Sequence, residues 1–193
     1  MMIRPAKNGP QRSLRRGPTR PAAIYRLPLP ATDLRGVASN FNTNLGQLGF
    51  VSAGGAAWVF FTNLRALVIA TGLGIFSFGV LGVVLLMVPL ALTGFFAGQV
   101  ALIGLNPGQF FLAFILPHGI FEITAAVLEG AAILRLGASV ISPPSGKTLS
   151  EGWLMALADW AKISLALVGP LLLVAALVEV FVTPLVITAV LSR

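Results

Sequence analysis

The chain has 193 residues, of which 56% are hydrophobic and 10% charged, with a formal net charge of +7. An ordinary soluble domain carries about 25% charged residues, so a water-exposed globular enzyme is excluded. Cysteine is absent, which excludes disulfides and thiolate metal sites.

Residues 1–44 read as a basic, proline-rich, flexible arm. Eight of the 13 basic residues fall here, Arg4, Lys7, Arg12, Arg15, Arg16, Arg20, Arg26 and Arg35, opposed only by Asp33. Pro5, Pro10, Pro18, Pro21, Pro28 and Pro30 interrupt any helix, and the like charges repel one another. No short apolar core closes on a small-residue cleavage site, so the arm does not read as a signal peptide. Next to apolar helices, the arm is explained by anionic lipid heads and the positive-inside rule rather than by nucleic acid, because no aromatic residues interleave with a basic face.

Residues 45–61 are apolar but short, with Gly46, Gly49, Gly54 and Gly55. Two readings stay open: a thin span, or an interfacial helix with Trp58 at the headgroups. Residues 66–87 then predict the first clear span, rich in Gly72, Gly74, Gly79 and Gly82, whose missing side chains let helices approach closely in lipid. Pro89 marks a break or kink, and residues 90–104 form the second span. Asn106-Pro107-Gly108 signals a turn. Residues 110–136 form the third span. Residues 138–161 read as a polar connection, with an amphipathic surface helix starting near Thr148. Residues 163–191 are the last apolar run, interrupted by Pro170, Glu179 and Pro184. The fold class is therefore all-α, a polytopic membrane helix bundle with four transmembrane helices and a fifth in question at 45–61. Counting basic residues on the two sides favours five spans over four by one residue.

Chemistry-bearing residues are few. His118 and Glu122 lie four apart on one helix face, with Glu129 seven residues further on. A charge in a membrane is costly and needs a partner or water. The cluster reads either as a polar relay or metal site, or as an interhelical hydrogen-bond lock. Two ligands make an incomplete metal site, and the chain has no second histidine. Both His118 and Glu122 are expected to face the bundle interior. Glu179 is expected within their reach, with Arg135, His118 or a backbone amide near Pro117 as its partner. Arg135 can instead snorkel to the headgroups. No nucleophile elbow, phosphate loop or HExxH motif is present, and Gly72-Leu73-Gly74 lies inside an apolar run, where it serves packing.

Four segments in this order carry a resemblance: Phe60-Phe61-Thr62-Asn63-Leu64-Arg65, Pro117-His118-Gly119-Ile120-Phe121-Glu122, Gly130 to Gly137, and Ala175 to Pro184. Over residues 58–185 the chain resembles the stage II sporulation protein M family of membrane proteins. The sequence departs from that pattern in its first helix, replaced by the basic arm, and at Pro89-Leu90, where relatives carry Asn-Gly. The resemblance implies a multi-span protein of the cell membrane, with residues 62–193 as the bundle, without catalysis, cofactor or bound metal. It implies a structural or scaffolding role beside other membrane or envelope proteins, and leaves oligomerisation open. Related chains resemble permease-like subunits beside an ATP-binding-cassette ATPase, which makes transport the alternative. An intramembrane enzyme using His118 and Glu122 is a third reading.

Overall fold

The computed structural model describes residues 40, 43–102 and 104–191. The basic arm read at 1–44 lies outside them, apart from Asn40, Thr43 and Asn44. The described residues form helices and turns without a strand. Among the described residues, four helices are long and apolar enough to cross a membrane: α1, Ala53–Phe76; α2, Val80–Leu102; α3, Pro107–Ile141; and α4, Leu149–Val190. The all-α membrane architecture read from the sequence therefore holds, with four such helices among the described residues and the doubtful fifth at 45–61 not separate from α1.

Helix α1 begins where the side chain of Ser52, in extended conformation, accepts a hydrogen bond from Gly55 N–H at 3.0 Å. The stretch 45–61 is thus not an element of its own. Its second half is the first two turns of α1, because Gly54 and Gly55 are carried into the helix by the apolar residues that follow. The span expected at 66–87 is likewise divided, at Ser77–Gly79. Here Phe78 and Gly79 take positive φ angles of 53° and 94°, and Gly79 N–H caps the Gly74 carbonyl at 2.7 Å. Every residue of that turn except Ser77 is apolar or glycine, so hydropathy runs through it unbroken.

Close approach fixes this hairpin. A β-carbon at Gly137 of α3 would collide with the Phe78 backbone, whereas one at Gly130 would meet nothing nearer than Leu86 Cδ1 at 3.7 Å. Gly137→Ala is therefore expected to cost about 1–3 kcal/mol through overpacking. Gly130→Ala should be neutral or stabilising, by up to ~1 kcal/mol of helix propensity. Thermal unfolding of the two variants in detergent measures the contrast.

Proline acts differently from the sequence expectation. Pro89 sits inside α2 without ending it, as lipid-embedded helices tolerate. Elsewhere the chain widens instead of breaking. Three π-helical turns occur, Phe111–Ile115, Ser164–Val168 and Val178–Val182, and a proline follows each by two residues: Pro117, Pro170 and Pro184. A proline has no N–H for the carbonyl four residues back and its ring collides with it. Those carbonyls belong to Ala113, Ala166 and Val180, each at the middle of a wide turn. The wider ring relieves the collision, so α3 and α4 stay continuous. The surface helix and the last apolar run are consequently one helix rather than two elements. The helix start at Thr148 is as read: Thr148 and Glu151 form a capping box.

The core is narrow and built from small residues. Ala70, Ala113, Ala125, Ala175 and Ala176 are fully buried. Leu67, Leu86, Ile133, Val168 and Leu172 join all four helices around them. Large apolar side chains point outward instead, with Phe76 89%, Leu165 79% and Leu102 78% exposed. In water such a surface would aggregate. In lipid it is solvated, and close packing of small residues supplies the association.

Candidate functional site: two polar layers in the bundle

Two polar layers cross the apolar core. In the first, Glu129 of α3 is 1% exposed. Its Oε1 accepts from Thr71 Oγ1 of α1 at 2.8 Å and from Trp160 Nε1 of α4 at 2.8 Å, and its Oε2 accepts from Ser164 Oγ of α4 at 2.7 Å. Three helices are thereby tied to one carboxyl group, and Ser164 is the first residue of a π turn. One and a half turns further along α3, Arg135 pairs with Asp159 of α4 at 2.7 Å, and Lys162 reaches the same carboxylate at 3.6 Å.

The second layer lies seven residues before Glu129 on α3, roughly 10 Å away along the axis. Glu122 Oε1 accepts from Asn63 Nδ2 of α1 at 2.6 Å. His118 Nδ1 lies 3.3 Å from Thr183 Oγ1 of α4, and that hydroxyl also reaches the Val178 carbonyl at 3.3 Å, across a π turn. Glu179 occupies the same π turn, close enough to Glu122 for the two carboxyl groups to interact electrostatically. Asn63, His118, Glu122 and Glu179 are all half-buried, and Thr183 is buried. Glu179 makes no ion pair or hydrogen bond among the described residues.

A lateral groove of about 530 Å³ opens beside this layer, between α1, α2 and α3. Its walls are mostly apolar, and Asn63, Thr93, His118 and Glu122 supply its polar groups. Among the described residues no three His, Cys, Asp or Glu side chains gather to hold a metal ion.

The structure thus places the five residues singled out from the sequence in three positions. His118, Glu122 and Glu179 come together. Glu129 is separate, in the closed layer. Arg135, one of the candidate partners for Glu179, instead pairs with Asp159, its side chain 64% exposed. The residues that sequence reasoning missed are the uncharged partners Asn63, Thr71, Trp160, Ser164 and Thr183. Their signal was a hydrogen-bonding group inside an apolar run, visible for Thr71 and Ser164 but easily taken for ordinary composition.

The order of these elements, polar Asn63 before a glycine-bearing hairpin, then His118 to Glu122, Glu129 to Gly137 and the Glu179–Pro184 turn, can be compared with known families. The profile of the family described as stage II sporulation protein M matches residues 25–184. The chain belongs to the stage II sporulation protein M family. The match begins within the basic arm, ahead of the region that carried the resemblance. No curated protein and no solved structure matches the chain. Family membership and the four apolar helices identify an integral membrane protein.

Proposed function

We propose that this family member is a non-catalytic assembly subunit, a scaffold of the cell membrane that crosses it several times and organises a membrane or envelope complex. The observation that carries this reading is the Glu129 layer. A buried carboxyl group held by three donors on two neighbouring helices locks the bundle. The open groove beside Glu122 is then a surface for assembly.

The test compares two substitutions at Glu122. Glu122→Gln keeps an oxygen that accepts from Asn63, so recovery of the complex in mild detergent should stay within about twofold of wild type. Glu122→Leu removes the acceptor and leaves the half-buried amide of Asn63 unpaired, which costs ~1–3 kcal/mol, and recovery should fall about tenfold. A proton or metal relay predicts the reverse weighting, with the glutamine variant alone abolishing function. The transport alternative has one observation in its favour, the half-buried carboxyl groups of Glu122 and Glu179 beside an open groove. Co-purification of a stoichiometric ATPase with the chain would favour it.

A further inference from the structure

The membrane layer at Glu122 holds two carboxyl groups that no cation among the described residues pairs with. Glu122 and Glu179 stand together with Asn63 as the hydrogen-bond donor. The nearest cation in sequence to this layer is Arg65, two residues from Asn63 on α1, at a depth that differs by only ~3 Å. Yet Arg65 lies on the opposite face of α1. It is exposed and makes no ion pair among the described residues. Its neighbours on that face are Trp58, Phe61 and Val68, which are 65%, 63% and 62% exposed. Arg65 also sits near the midpoint of Ala53–Phe76. A 24-residue helix is roughly 36 Å long, so an arginine at its middle lies deep in the hydrocarbon. A lipid-facing arginine there costs at least a few kcal/mol on insertion scales, and ionisable groups in membranes characteristically find partners.

We infer that copies of this chain associate head to tail in the membrane, with the outer face of α1 in one copy seated against the α1–α2–α3 groove of the next and Arg65 meeting Glu122. Charge complementarity selects a second copy over other occupants. Symmetric oligomers of membrane proteins turn about an axis along the membrane normal, so every residue keeps its depth from copy to copy. Arg65 and Glu122 already share a depth, and rotation alone brings them together. The groove supplies apolar walls for Trp58, Phe61 and Val68, and α2, which forms one of those walls, is the least buried of the four helices. The association rests on the reading of the groove as an assembly surface and names its partner.

The chain lacks cysteine, so paired single-cysteine variants test it directly. Val68→Cys lies one turn from Arg65 on the outer face of α1. Val127→Cys lines the groove at a similar depth and is 60% exposed in the single copy. The two full-length variants carry different tags, are produced together, and are oxidised in native membranes. A disulfide-linked pair between the two tags is expected, and Arg65→Gln in the Val68→Cys chain should lower its yield by at least about tenfold, or ~1.4 kcal/mol. Cross-linking that is absent, or unchanged by Arg65→Gln in correctly inserted protein, overturns the inference. So does a Val68–Val68 link alone, which would mean a different interface. Linkage of Val127→Cys to another protein would overturn self-association while leaving the assembly reading intact. Loss of both that linkage and the Glu122→Leu effect would remove the assembly reading as well.

Discussion

Glu129→Leu is expected to be the most damaging single change in the described bundle. Leucine fills much of the volume but accepts nothing, so Thr71, Trp160 and Ser164 all lose their acceptor. An interhelical hydrogen bond in lipid is worth ~0.6 kcal/mol on average and up to ~1.7. Losing three costs roughly 2–5 kcal/mol. That is a large share of the 5–15 kcal/mol by which a folded domain is typically stable. Glu129→Gln should be milder. Its carbonyl oxygen still accepts from Thr71 and Trp160, and its amide donates to Ser164, whose hydroxyl can reverse its role. The measurement is the yield of monodisperse protein and its thermal midpoint in one detergent. Equal loss in both variants would mean that the charge of Glu129, not its hydrogen bonding, sustains the bundle.

The second large effect is all-or-none and concerns topology. Three helices, α1, α2 and α3, separate the basic arm from the loop around Ser145. The arm carries eight basic residues and resists translocation. If all three cross, Ser145 is expected on the far side of the membrane from the arm. The side of the loop holds Arg135, Lys147 and Lys162, a minority of the basic residues. Arg65 lies within α1 and belongs to neither side. Ser145 is exposed, so Ser145→Cys should be labelled in intact cells by an impermeant thiol reagent. Protection until the cells are opened would require one more crossing ahead of α1, or an arm on the outside.

The sequence by itself settled the solvent and the class. Apolar runs longer than a bilayer needs, with so few charges, admit a helix bundle in lipid and little else. Local signals with a short reach were also legible: the Asn106 turn, where the side chain accepts from Gly108 N–H at 2.8 Å, and the Thr148–Glu151 capping box. Both are satisfied within a few residues, so neither depends on the rest of the fold. The membership of His118, Glu122, Glu129 and Glu179 in polar layers could be suspected because a charge in hydrocarbon demands a partner.

The partners themselves were decided by tertiary structure. The turn at Phe78 exists because Gly137 of another helix lets the backbone come close, and nothing in the apolar string 66–87 marks it. Pro117, Pro170 and Pro184 read as interruptions, yet the helices continue through them by widening to π turns. A proline fixes that its own N–H is missing, but whether the chain breaks, kinks or widens depends on what packs around it. Those wide turns in turn set the sites, since Ser164, Glu179 and Thr183 lie in or beside them. The helix period also could not say that Glu122 and Glu129, seven residues apart, would diverge in environment. Trp160 and Ser164 seal one of them on α4, whereas the other opens on a groove, and that difference arises only where four helices meet.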